Sequence, residues 1–105
     1  GRLNDPLSES EVAIGLDPEF GNPYNDIGVY LMQQQRLDDA IPWLERAKSA
    51  KRYQPRHFPY INLGRIYLSK GMIQKALEEF AGALEINPDD NDLAQLFEEL
   101  KNKLQ

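Results

Sequence analysis

Apolar residues recur along most of the chain at steps of three and four, which is the spacing of one face of a helix. They occupy positions 60, 63, 67 and 68 in one segment and positions 76, 77, 80, 83 and 84 in the next. Gly71 separates the two segments and suits the left-handed residue that follows a helix. Pro88 cannot continue the second segment as a helix. No stretch alternates apolar and polar residues, so the pattern predicts helices and no strands.

The pattern occurs twice, at an offset of 36 residues. Residues 24–28 (YNDIG) align with residues 60–64 (YINLG), and apolar or small residues keep agreeing as far as Ala47 and Ala83. Each copy therefore predicts a helix–turn–helix pair, and repeats of this length are typical of stacked helical arrays. Larger side chains are expected to overpack the contact between the two helices of a pair at four positions, by about 1–3 kcal/mol each. These positions are Gly28, Ala40, Gly64 and Ala76. The rings of Tyr60, Tyr67 and Phe80 are expected to fill the space between the pairs.

The flanking segments extend the repeat. The ending at Leu16-Asp17-Pro18 copies the ending at Ile86-Asn87-Pro88, so residues 5–18 are predicted to form the second helix of a preceding, truncated repeat. Residues 90–104 place several apolar residues on one face and predict a helix that caps the last repeat. These residues are Leu93, Leu96, Phe97, Leu100 and Leu104.

The repeat resembles the tetratricopeptide repeat, a helix–turn–helix unit of about 34 residues. The second copy carries Tyr60, Leu63, Gly64, Tyr67, Ala76, Phe80, Ala83 and Pro88 in that order and spacing. The first copy has Leu31 where a tyrosine is usual, Gln35 where the turn glycine is usual, and two extra residues before Pro55. The resemblance implies one all-α domain over residues 1–105, a right-handed superhelical solenoid with two full repeats at residues 21–56 and 57–90.

Composition narrows the function classes. The chain has 105 residues and a net charge of −5, which disfavours nucleic-acid binding by the whole surface. It has no cysteine, which excludes disulfides and thiolate metal sites. No apolar run approaches the roughly 18 residues that span a membrane. The first residues are neither a signal peptide nor an initiator methionine, and we expect a cytoplasmic location without membrane contact.

The sequence gives no support for catalysis, a cofactor or a metal. His57 is the single histidine and has no predicted partner, whereas a catalytic base needs a positioned one. Residues 89–92 (DDND) lack the spacing and central glycine of a calcium loop and predict a turn followed by a helix N-cap. We therefore expect that the chain is not an enzyme.

The resemblance implies instead a protein-interaction module, with a scaffold or adaptor role, whose first helices line a concave groove for a partner peptide. The groove-facing candidates are Asn22, Asn25, Asp26, Val29 and Gln33 in the first copy and Phe58, Ile61, Asn62, Arg65 and Ser69 in the second. Phe58 and Ile61 are expected to make apolar contact, while Asn62 bonds the peptide backbone. Arg65 is expected to pair with an acidic group. The alternative is that all ten are ordinary solvated helix residues.

Two further hypotheses remain open. Between Arg46 and Leu77 the chain has no acidic residue but eight of its twelve basic ones. Anion or RNA binding could centre there on Lys51, Arg52, Arg56 and His57, together with Tyr53. Self-association into a homo-oligomer could use an apolar stripe on the first helix, formed by Leu7, Val12, Ile14 and Leu16.

Trp43 follows a proline that interrupts the second helix of the first pair. Pro42 removes a backbone hydrogen bond and is expected to kink that helix. Trp43 is either a partly exposed contact for a partner or a residue packed against a neighbouring helix.

Overall fold

Six consecutive helices make up the chain in the computed structural model, which describes residues 6–104. They are α1 (Pro6–Leu16), α2 (Asn22–Gln33), α3 (Leu37–Ser49), α4 (Phe58–Ser69), α5 (Ile73–Ile86) and α6 (Asn91–Lys103). All six lie where the apolar pattern predicts helices, although the predicted start at residue 5 lies outside the described residues. Within residues 6–104 the only extended pairing is an isolated bridge between Phe20 and Arg52. None of these helices is long and apolar enough to cross a membrane.

The helices stack as two hairpins between two flanking helices. α2 pairs with α3 and α4 with α5, while α1 packs on α2 and α6 packs on α5. The 36-residue offset of the sequence is the offset of the structure, because α2 and α4 begin at Asn22 and Phe58, and α3 and α5 at Leu37 and Ile73. α2 also contacts α4 directly, so the first helices of the two hairpins lie side by side on one face.

One glycine in each hairpin allows its two helices to approach closely. A Cβ atom added to Gly28 would lie 2.5 Å from the Leu44 side chain, and one added to Gly64 would lie 2.3 Å from the Phe80 ring. Leu44 and Phe80 are completely buried. The prediction that Gly28 and Gly64 allow close helix contact is confirmed, and the side chains that fill the space opposite them are Leu44 and Phe80. The expectation for Phe80 is wrong in its place, because the ring packs on Gly64 within its own hairpin and not between the two hairpins.

The core forms two clusters that meet at Tyr67. One cluster is centred on Leu44 and Leu63, and the other on Phe80 and Leu93. The Tyr67 ring packs against both clusters, which fits its predicted place between the repeats. Apolar burial of this kind is the main source of stability for stacked helices.

The two hairpin turns share a left-handed backbone position, which is occupied by Gln35 in the first turn and by Gly71 in the second. Gly71 has φ +75°, and the equivalent Gln35 has φ +60°, although a left-handed backbone is unfavourable for any residue with a Cβ atom. Replacing Gln35 by glycine should therefore raise the free energy of unfolding by about 1 kcal/mol, net of the entropy that glycine adds to the unfolded chain. Thermal unfolding followed by circular dichroism measures the change. Gly71→Gln is the matched reverse variant and should lose a similar amount; an unchanged Gln35→Gly variant would contradict the argument.

Asp90 begins α6 as an N-cap. Its side chain accepts a hydrogen bond from the Leu93 backbone N–H at 3.1 Å. This satisfies one of the N–H groups that the first turn of a helix leaves free. The predicted N-cap in residues 89–92 is confirmed.

The apolar residues of α1 do not form one exposed stripe, and that expectation is wrong. Leu7 and Ile14 pack against the first core cluster, because α1 docks on α2. Val12 and Leu16 remain 63% and 83% exposed. The apolar surface left for self-association is therefore smaller than the sequence predicts.

Trp43 packs rather than projecting from the surface. Its ring is half-buried against the first core cluster, with its centroid 6.4 Å from that of Tyr24. The Arg46 guanidinium lies over the ring at 4.8 Å. α3 continues through Pro42 as a single helix from Leu37 to Ser49.

Candidate functional site: the groove between the first helices

The side-by-side placement of α2 and α4 opens a cavity of about 390 Å³ between them. It is lined by Asn25, Val29, Phe58, Ile61, Asn62 and Arg65. We call this cavity and its six lining residues the groove. All six are among the ten groove candidates from the sequence. The other four candidates, Asn22, Asp26, Gln33 and Ser69, do not line it.

Phe58 and Arg65 are the exposed side chains of the groove. Phe58 is 45% exposed and lines the groove together with the apolar side chains of Val29 and Ile61, and a contiguous exposed apolar patch is typical of a binding site. Arg65 is exposed and makes no hydrogen bond, ion pair or ring contact with the described residues. An exposed ring and an unpaired guanidinium in one concave site can contact a ligand without breaking internal interactions.

Two asparagine side chains lie at the base of the groove and bond each other. The Asn62 Nδ2 donates to the Asn25 Oδ1 at 3.0 Å. Asn25 is only 7% exposed, whereas Asn62 is half-buried. The Asn62 carbonyl oxygen has no partner within residues 6–104, so it can still accept a hydrogen bond from a ligand.

Tyr53 supports the groove from behind. Its side chain is 5% exposed and packs so closely on Gly21 that a Cβ atom there would lie 2.7 Å from the ring. Burial raises the pKa of the Tyr53 phenol well above its usual range, the Asp26 carboxylate adds to the rise, and a hydrogen-bonding contact with the Asn25 amide partly offsets it. A chain of polar contacts thus runs from Tyr53 through Asn25 to Asn62.

The burial of Tyr53 corrects one expectation. The sequence suggested that this ring could help receive a ligand in the basic segment, but the ring faces the protein interior. Two backbone hydrogen bonds hold its segment against the α1–α2 loop: Gly21 N–H to Arg52 C=O at 2.7 Å and Arg52 N–H to Glu19 C=O at 3.0 Å. Asn22 adds a side-chain hydrogen bond to the Gln54 carbonyl at 3.0 Å.

The groove continues on the far side of Arg65. A second cavity of about 290 Å³ shares Ile61 and Arg65 with the groove. Its remaining walls are Phe80, Asp90, Asp92, Leu93 and Leu96. The sequence assigned these residues to the core, to a helix cap and to the capping helix, so their part in a site was missed. The sequence carried no local signal for this cavity, since residues of α4 and α6 come to line it only once both helices have packed on α5.

Three of the four side chains proposed for anion binding hydrogen-bond or form ion pairs with other parts of the protein. The Lys51 Nζ lies 3.3 Å from the Glu19 Oε1, and the Arg52 Nη2 lies 2.6 Å from the Asp17 Oδ1. Both ion pairs are exposed. Arg56 donates to the backbone carbonyls of residues 48, 50 and 51 at the end of α3, where a positive charge favours the free carbonyl groups. The structure therefore distributes these charges among separate internal contacts.

His57 and Lys48 are also engaged. The His57 ring lies edge-on to Phe58 with 4.9 Å between centroids, and its Nε2 is 3.5 Å from the Asn87 Nδ2. Lys48 joins the two hairpins by an ion pair of 2.9 Å with Glu79. Burial alone would lower the pKa of Lys48, but hydrogen bonding and charge attraction from Glu79 outweigh it and raise that pKa. Within residues 6–104 no cluster of three or more His, Cys, Asp or Glu side chains could hold a metal ion.

Comparison with known families agrees with this architecture. Residues 22–54 and residues 57–90 each match a family model described as tetratricopeptide repeat, and together the matches span more than half of the chain. The fold is that of a helical-repeat protein. The chain belongs to the tetratricopeptide repeat family, and it is a protein–protein interaction module. Members of that family are generally non-catalytic. No curated protein matches the chain in a sequence comparison.

Proposed function

We propose that the chain binds a short extended peptide of a partner protein in the groove between α2 and α4. The observation that carries the proposal is the cavity of about 390 Å³ that both the exposed Phe58 ring and the unpaired Arg65 guanidinium line. Binding pockets commonly fall between about 300 and 1,000 Å³ and combine an apolar lining with a few polar groups. The groove has both properties.

Each part of the groove supports one kind of peptide contact. Val29, Phe58 and Ile61 supply apolar surface, and burial of such surface favours binding by roughly 25 cal/mol per Å². The free Asn62 carbonyl oxygen supports a hydrogen bond to a peptide N–H group. Arg65 supports a bidentate hydrogen bond with a carboxylate of the peptide.

Selection from a displayed library of random twelve-residue peptides tests the proposal. Selected peptides are synthesised, and their dissociation constants are measured by fluorescence anisotropy for the intact protein and two groove variants. Phe58→Ala and Arg65→Ala should each weaken binding by about tenfold, which corresponds to about 1.4 kcal/mol. Both side chains are exposed, so both variants should keep the helical circular dichroism of the intact protein.

Arg46→Ala is the matched control, because Arg46 lies over Trp43 on α3 and is not part of the groove. Its affinity for the selected peptides should equal that of the intact protein. Two results would contradict the proposal: no peptide enriched above the library background, or selected peptides that bind the Phe58→Ala and Arg65→Ala variants as tightly as the intact protein.

A further inference from the structure

We propose that the occupant of the groove is a dipolar peptide, in which an acidic side chain contacts Arg65 and a basic side chain contacts Asp90 and Asp92, with an apolar residue between them. This inference rests on the proposed function and specifies the class of partner. It follows from the two residues that the groove shares with the second cavity and from the opposite charges that line the second cavity.

The two cavities adjoin at Ile61 and Arg65, which line both of them. A peptide lying along α4 in the groove therefore needs to pass only these two side chains to reach the second cavity. The floor beyond Ile61 is apolar: Leu96 is half-buried and open to a ligand, while Leu93 and the completely buried Phe80 lie beneath it. An extended peptide directs every second side chain to the same side, so residues i, i+2 and i+4 of the occupant can all face this floor.

Opposite charges border that floor. Arg65 lies on α4, whereas Asp90 and Asp92 lie at the start of α6, and all three line the second cavity. No ion pair joins Arg65 to either aspartate, and Asp92 is exposed and has no partner within residues 6–104. Asp90 uses one carboxylate oxygen as the helix cap, and the structure assigns no partner to its second oxygen.

This arrangement selects against ligands of a single charge sign. A uniformly acidic peptide is attracted by Arg65 but repelled by the two aspartates. A uniformly basic peptide is attracted by the aspartates but repelled by Arg65. A peptide with one charge of each sign satisfies both ends at once, and complementarity of this kind gives specificity through the cost of mismatched charges. The order of the two charges along the peptide is then fixed by the direction in which the peptide lies.

An array of acetylated and amidated octapeptides is the probe. All members share a background of Leu, Ala and Asn and differ in one Glu and one Lys, placed two, three or four residues apart in both orders. Parents with Glu alone, Lys alone or Gln at both positions complete the set. For the intact protein, one charge order at a spacing of four should bind at least fivefold tighter than any parent, because the residue midway between the charges then faces the apolar floor, while spacings of two and three should bring no such gain.

Variants assign each charge of the peptide to its site. Asp92→Asn should remove most of the affinity that the peptide's Lys adds and keep the affinity that its Glu adds. Arg65→Gln should remove the affinity that Glu adds and keep the affinity that Lys adds. Asp89→Asn is the matched control, since Asp89 is an exposed neighbour that lines neither cavity. The double exchange Arg65→Glu with Asp92→Lys should reverse the preferred order of charges, a result that general loss of folding cannot produce.

The outcomes separate this inference from the proposed function. If the intact protein binds every peptide of the array equally well and Phe58→Ala still weakens binding, the groove binds peptides but the dipolar preference is overturned. If peptides selected from the library bind in the groove but no peptide of the array does, the dipolar preference alone is overturned. If neither the library nor the array yields a peptide that binds, the proposed function fails and this inference fails with it. An unchanged charge order in the double-exchange variant would also overturn the dipolar assignment.

Discussion

Phe80→Ala is expected to lower the free energy of unfolding by about 3–5 kcal/mol. The Phe80 ring is completely buried at the centre of the second core cluster, and its removal leaves a cavity that the rigid hairpin cannot close. A domain of this size is commonly stable by about 5–15 kcal/mol, so the loss is a large share of the total. Urea unfolding followed by circular dichroism measures it.

Gly64→Ala tests the same contact from the opposite helix. A methyl group at position 64 would lie 2.3 Å from the Phe80 ring and should cost about 1–3 kcal/mol. In the Phe80→Ala background the methyl group enters vacated space, so the two effects should combine to less than their sum. Gly15→Ala is the control, because nothing lies within 4 Å of the added atom. Strict additivity of Gly64→Ala and Phe80→Ala would contradict the close contact.

The spacing of apolar residues was sufficient to predict the helices, because both hairpins place these residues at the same steps of three and four. Gly71 and Asp90 have the predicted end and cap roles, since glycine favours a positive φ and aspartate accepts hydrogen bonds from a first helical turn. The exposure of α1 was mispredicted for a different reason. Whether Leu7 and Ile14 are covered depends on the docking of α1 onto α2, which its own sequence does not contain.

The resemblance to the tetratricopeptide repeat predicted the residues of the groove, but it could not predict the second cavity. The resemblance gave the face of α4 that carries Ile61 and Arg65, but the position of Asp92 depends on how α6 packs. The basic segment shows the same limit. Arg52 pairs with Asp17, which lies 35 residues away in sequence, and no count of charges identifies such a partner.

Tyr53 lies in the segment with two extra residues, which has no counterpart in the repeat, so nothing in the sequence pattern predicted its burial. Tyr53→Ala is expected to cost about 3 kcal/mol or more, because it empties the space over Gly21 and releases the contact with Asn25. Peptide binding in the groove should weaken as well, since the Asn25 side chain positions the Asn62 side chain through their hydrogen bond. Urea unfolding of the variant measures the loss, and a loss below about 1 kcal/mol, the usual range of surface substitutions, would contradict the structural role of the ring.

Tyr53→Phe isolates the hydroxyl group and should change the pH dependence of stability. Burial holds the phenol neutral in the folded protein at pH values where the unfolded chain, with the ordinary pKa of 10.0, has lost the proton. The unfolded state then binds fewer protons, so stability falls as pH rises above 10. A single such group lowers the free energy of unfolding by about 1.4 kcal/mol at pH 11.

Burial also raises the pKa of Tyr67, and that contribution is common to the intact protein and the Tyr53→Phe variant. Urea unfolding at pH 8 and pH 11 should therefore show a drop that is smaller in Tyr53→Phe by about 1.4 kcal/mol. Parallel curves for the two proteins would mean that the phenol of Tyr53 ionises as readily in the folded state as in the unfolded chain.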